Sequence, residues 1–89
     1  MEPFPKEKIE NIYRLIGKNV KKIREQKGLS QLDLAYSIGL KSVSMISFGE
    51  IYLHKKHFNI AHLAKIAKVL EVDICEFFEG VDEIIKEDN

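Results

Sequence analysis

A single cysteine, Cys75, is all the thiol that this sequence contains. It excludes an internal disulfide and a cysteine-based zinc site, and it fits a reducing compartment. No apolar run approaches the roughly 20 residues of a membrane span, and no basic-then-apolar leader opens the chain, so a protein of the cytoplasm is expected, with no membrane partner. Paired catalytic carboxylates, a nucleophile-elbow glycine pattern and a phosphate-cradling glycine-rich loop are missing. The serines cluster on one expected helix with no histidine or acid fixed beside them. The expectation is a protein that is no enzyme, needs no cofactor and has no evident small-molecule ligand. His54, His57 and His62 lie near one another in the chain, but no carboxylate stands at fixed helical spacing with them, so no metal site is expected.

Net charge is lacking too, with 14 basic and 14 acidic residues, and neutrality taken alone argues against a phosphate-rich partner. The distribution reverses that argument. Residues 1–29 hold eight Lys/Arg against four acids, residues 30–57 three against two, and residues 58–89 three against eight. A basic front and an acidic back allow approach to DNA in one orientation.

What the chain does contain is helical periodicity. Ile9, Ile12, Ile16, Val20 and Ile23 recur at steps of three and four, the spacing of one helical face. Gly17, inside that stripe, costs about 1 kcal/mol relative to alanine, so a break near residues 15–17 stays open. Gly28 ends the segment. Ser30 is a good N-cap for a short second helix carrying Leu34, Ala35 and Ile38, which Gly39 ends. A third helix is expected to restart at Lys41 or Ser42 and to be anchored by Met45 and Phe48. Residues 49–58 read as a loop that is unusually apolar, with Ile51, Tyr52, Leu53 and Phe58. Asn59 caps a strongly periodic helix through Ile60, Leu63, Ile66, Ala67 and Leu70. Asp73 and Glu76 have the spacing of a capping box that opens a last helix, which Gly80 is placed to split. No repeat, linker or convincing strand appears, so one all-α domain spanning residues 1–89 is expected.

Two short helices joined by a glycine-containing turn form the arrangement that sets one helix in a DNA major groove. Around that pair, Ile16-Gly17, Val20, Ile23 and Arg24, then Gly28-Leu29-Ser30-Gln31, Leu34-Ala35, Ile38-Gly39-Leu40, Met45, Phe48, the run 60–70, and Val72 to Phe78 resemble the helix-turn-helix family of the Xre, Cro and phage-repressor type. That family includes the controller proteins of restriction-modification systems. The resemblance covers residues 16–78, leaving residues 1–15 as an N-terminal extension and 79–89 as an acidic helical tail. It implies a five-helix, lambda-repressor-like fold, double-stranded DNA as partner, and frequent dimerisation. It places Lys41, Ser42, Val43, Ile46 and Ser47 toward base edges, with Gln31, Ser44, His54, Lys55 and Lys56 at phosphates. Lysine suits guanine or phosphate, serine either base edge, and valine or isoleucine a thymine methyl.

The sequence departs from the family at Gly49, where a glutamate usually pairs with the arginine matched by Arg24. Glu50 is the expected substitute, and an exposed pair would add only ~0 to 1 kcal/mol. Phe77, Phe78, Val81, Ile84 and Ile85 form more apolar stripe than one small core needs, and are expected at a homodimer interface unless the stripe folds back over Ile9 and Ile12. Cys75 is expected to be buried beside that seam. The reading is a sequence-specific regulator binding a two-fold operator. The alternative is a protein-interaction module, antitoxin-like or partner-binding, with weak or no operator recognition, which would use Val43, Ile46, Ile51, Tyr52 and Leu53 as its contact surface.

Overall fold

In the computed structural model, which describes residues 3–87, the isoleucine stripe winds into one unbroken helix, α1 (Lys6–Gln26). It is followed by α2 (Gln31–Ser37), α3 (Ser44–Ile51), a 3-10 turn (Leu53–Lys55), α4 (Ile60–Leu70), a second 3-10 turn (Ile74–Phe78) and α5 (Val81–Lys86). No strand occurs among the described residues. The domain is thus all-α with five α-helices.

Helix α1 ends where Gly28 (φ 76°) lets the chain turn back. The Gly28 N–H reaches the Glu25 carbonyl at 3.0 Å and the Leu29 N–H reaches that of Arg24 at 3.2 Å, a Schellman closure that satisfies two orphan carbonyls. Gly17 has a different role, because α3 crosses α1 at this point. A Cβ on Gly17 would overlap the carbonyl oxygen of Gly49 and stand 2.9 Å from that of Glu50. The residue that weakens helix propensity is therefore what allows two backbones to touch.

The core is filled from every helix except α5. Val20, Leu34, Ile46, Leu63, Ile66, Leu70 and Phe77 are its largest fully buried side chains, with Ile16, Ile23, Ala35 and Phe58 around them. Apart from Phe58, in the loop before α4, and Phe77, in the second 3-10 turn, each is an inward position of its helical stripe, so burial there follows periodicity. The Asp73–Glu76 capping box is present, but it opens a 3-10 turn rather than an α-helix, and Gly80 parts that turn from α5.

The C-terminal stripe folds back. The Asn19 amide donates to the carbonyls of Phe77 at 2.9 Å and Glu79 at 3.0 Å, and the Lys8 ammonium donates to the carbonyls of Ile85 and Glu87. Two expectations are corrected as a result. Phe77 is 0% exposed and belongs to the core, so it offers no surface to a partner. Cys75 is exposed rather than buried. Phe78, Val81 and Ile84 are half-buried, and Ile85 is the largely open member of the expected stripe.

Helix α4 opens on a reciprocal cap. The His62 N–H donates to Asn59 Oδ1 at 2.8 Å, and the Asn59 N–H donates to His62 Nδ1 at 3.1 Å. Burial, with help from Lys65 and His57, holds the imidazole pKa below its ordinary value of 6.5. Protonation would also remove the Nδ1 acceptor. A depressed histidine pKa means that the folded state resists the proton, so this contribution is whole above pH 6.5 and declines as pH falls below it. Glutamine at this third helical position keeps a capping box without titrating. Urea unfolding midpoints of the wild type are expected to drop more between pH 7.5 and pH 5.5 than those of His62→Gln, and equal drops would refute the assignment.

Candidate nucleic-acid interface

Helix α2 starts where the Ser30 hydroxyl accepts from the Asp33 N–H at 3.0 Å. It holds to the core by Leu34 and Ala35 and gives way to a turn across residues 38–43. Helix α3 then begins at Ser44, later than expected. Val43 is already in the helical region (φ −80°, ψ −12°) and supplies no side-chain cap, while the Ser42 hydroxyl stands 3.4 Å from the Ser44 N–H. Lys41 and Ser42 are therefore exposed turn residues ahead of the helix, and Val43 is half-buried at its entrance.

The inner face of α3 is Ile46, Gly49 and Glu50, all buried. Ile46, expected at base edges, is 0% exposed and cannot leave the core. The reason is register. The family glutamate matches position 49, whereas Glu50 is the residue that meets Arg24, so the inward face of α3 falls one residue later than the resemblance implies. Ser44, expected only beside the backbone, consequently points outward with the half-buried Ser47 and Phe48 and the exposed Ile51. The steps of three and four from 44 to 47 to 51 were legible in the chain, but only once the helix start was known.

The brace behind α3 is a buried pair rather than an exposed one. Arg24 Nε donates to Glu50 Oε2 at 2.7 Å and its Nη2 to Oε1 at 3.1 Å, both side chains being almost wholly buried. Arg24 Nη1 also donates to the Leu29 carbonyl at 2.8 Å. The hydrogen bonds that Arg24 donates to Glu50 raise the arginine pKa against the opposing effect of burial. Gln31 Nε2 completes the cluster by donating to Glu50 Oε1 at 2.8 Å, so this residue of α2 ties all three helices together. That role has no local sequence signal, because it depends on a carboxylate 19 positions away.

Beyond α3 the chain turns at Tyr52 (φ 55°), with His54 (φ 55°) and Lys55 (φ 60°) also left-handed. Non-glycine residues held there cost of order 1–3 kcal/mol each and need packing to persist. The packing comes from α1. The His57 ring stacks on Tyr13 with centroids 3.7 Å apart, Tyr52 lies 5.9 Å from the same ring, and the Arg14 guanidinium sits 5.0 Å over Tyr52. His54 meets the edge of Phe48 at 5.7 Å. The three histidines thus go to separate places, and no group of three potential metal ligands assembles among the described residues. Lys55 and Lys56 project into solvent past the end of α3, as Lys41 does before its start. The loop expected to have something to bury does so, through Phe58 in the core and Tyr52 and His57 on Tyr13.

A separate apolar groove of about 420 Å³ lies between the first half of α1 and the start of α4, lined by Ile9, Ile12, Phe58, Ile60, Leu63 and Phe78 among others. On its rim Ile60 is 67% exposed and Ile9 41%. No helix among the described residues is long and apolar enough to cross a membrane.

The helix-turn-helix family profile matches residues 20–77. The crystal structure of the restriction-modification controller protein C.AhdI from Aeromonas hydrophila is similar, with a TM-score of 0.65 and 27% identity over 74% of this chain and 96% of that one. No curated protein matches the chain.

Proposed function

This chain belongs to the Xre/Cro-type helix-turn-helix family, and from that premise we propose that it is a transcriptional regulator that binds duplex DNA as a homodimer, in the cytoplasm and without enzymatic activity. One observation carries the DNA reading. Helix α3 is anchored by Ile46, Gly49 and Glu50, leaving an outward stripe of Ser44, Ser47 and Ile51 bounded by exposed cations at both ends: Lys41 before it, Lys55 and Lys56 after it. Such a helix fits a major groove, with the cations on the flanking phosphates. The role of controller-type regulator is taken from the likeness to C.AhdI.

In this reading Lys41, Ser42, Ser44 and Ser47 meet base edges, and Val43 closes the entrance to the helix. Lys55, Lys56 and His54 meet phosphate. Gln31 has a second amide hydrogen beyond the one given to Glu50, and offers it to phosphate at the start of α2. With Lys55 and Lys56 of each protomer neutralising about four phosphates in all, affinity is expected to fall roughly a hundredfold between about 50 and 200 mM salt. Lys55→Ala and Lys56→Ala are expected to weaken all sequences alike and flatten that slope, whereas Lys41→Ala and Ser44→Ala change which duplexes are selected from a random pool. A salt-insensitive affinity, or no duplex selected, refutes DNA recognition and leaves a protein-binding role for the same surface.

The partner copy is placed on the groove rather than on the stripe that α1 covers. Ile60 is the most exposed large apolar side chain among the described residues, and Phe78, a member of the expected stripe, lines the same groove. A two-fold axis there lets each protomer insert Ile60 beside Ile9 of the other, and a two-fold operator requires the two recognition helices about 34 Å apart. Ile60→Asp is expected to give a folded monomer in sedimentation equilibrium with much weaker operator binding. An unchanged dimer rules out this interface.

A further inference from the structure

We propose that Ile51 is a specificity-determining residue, reading the C5 methyl of a thymine in each half-site; the inference rests on the DNA-binding reading above. Three observations meet at this side chain. It is 59% exposed, whereas Ile46 and Ile66 are 0% and Ile23 is 8% exposed, so it is an isoleucine that the core does not use. It lies on the outward stripe, one helical step beyond Ser47 and two beyond Ser44. And it is held stiffly: the preceding residue, Glu50, is locked by Arg24 and Gln31, and the next, Tyr52, turns away to stack on Tyr13. With the backbone held on both sides and χ1 restricted by β-branching, the direction in which the side chain leaves the helix is limited.

The chemistry of the stripe selects the base. It carries no arginine, asparagine or glutamine, the side chains that read guanine or adenine through two hydrogen bonds. Its polar groups are two serine hydroxyls, and that of Ser47 already donates to the Ser44 carbonyl at 3.3 Å. Where Ile51 meets the groove, the base-edge group that rewards an apolar contact is the thymine methyl. The exposed cations of the following loop, Lys55 and Lys56, hold this end of α3 against the backbone so that the contact forms.

The test uses the whole chain and the duplex selected from random sequence. Each thymine of the half-site is replaced in turn by deoxyuridine, which removes only the methyl. The wild type is expected to lose about fourfold in affinity when one half-site is changed at the contacted position, the worth of burying one methyl-sized group, and roughly fifteenfold when the symmetric pair is changed. Ile51→Ala is expected to lose as much on the normal duplex and to be indifferent to deoxyuridine at that position, with thermal unfolding unchanged. Insensitivity of the wild type at every thymine overturns the inference alone, as does an Ile51→Ala protein that remains sensitive at the same position. If no duplex is selected, the DNA-binding reading falls and takes this inference with it.

Discussion

Gly17→Ala is expected to be among the most damaging single-methyl changes in this protein, although helix propensity predicts the opposite. Exchanging glycine for alanine inside a helix stabilises it by about 1 kcal/mol. Here the added Cβ enters the carbonyl oxygen of Gly49 and crowds that of Glu50, which are backbone atoms with no rotamer to retreat into. Relief requires moving α3 off α1, and that displaces Ile46 from the core and Glu50 from Arg24. The cost is expected at about 3 kcal/mol or more, the upper end for overpacking, so the clash outweighs the propensity. Gly49→Ala supplies the contrast. Its Cβ would meet ring atoms of Phe58 at 2.7 and 2.8 Å, and a ring can shift where a backbone cannot. Urea unfolding midpoints are expected to fall for both variants and further for Gly17→Ala. A Gly17→Ala protein as stable as the wild type would mean that the helices do not cross at this point.

That pair of glycines also shows what could be read from the chain and what could not. The helices were legible because their apolar residues repeat at three and four, and their caps were legible because Ser30, Asn59 and Asp73 are local devices. Gly17 was legible only as a weak point in α1, since its reason for being there lies on another helix. The same limit explains the site. Lys41, Ser42, Lys55 and Lys56 are exposed and Ser47 is half-buried. Ile46 and Ser44 exchanged places because Glu50, not residue 49, meets Arg24, and one residue of shift rotates every side chain by about 100°. The aromatic stack that supports the loop joins Tyr13 to Tyr52 and His57, about 40 residues away, and no window of sequence contains both ends. Phe77 and Val81 look like surplus hydrophobicity until Asn19 is seen to hold that segment on α1.

Glu50→Ala is the second large effect expected, and it separates the value of the ion pair from the cost of breaking it. In the wild type the carboxylate accepts from Arg24 twice and from Gln31 once, with its side chain 0% exposed. Removing it leaves a buried guanidinium whose remaining acceptor is the Leu29 carbonyl, and an uncompensated buried charge costs about 3–5 kcal/mol. A domain of this size has a total stability of about 5–10 kcal/mol, so the loss takes a large share of it and should lower the unfolding midpoint steeply. Exchanging both partners for apolar groups, as Arg24→Met with Glu50→Leu, is expected to restore most of the loss, because the desolvation of two charges roughly cancels their attraction. The pair would then matter chiefly for how α3 is held. In the double variant Gln31 loses its acceptor, and α3 keeps only apolar contacts to fix its tilt and register against α2. Stability should therefore return while operator affinity and sequence discrimination do not. Recovery of stability together with full operator affinity would show that packing alone orients the recognition helix. Failure to recover stability would show that the pair is a net stabiliser of the fold.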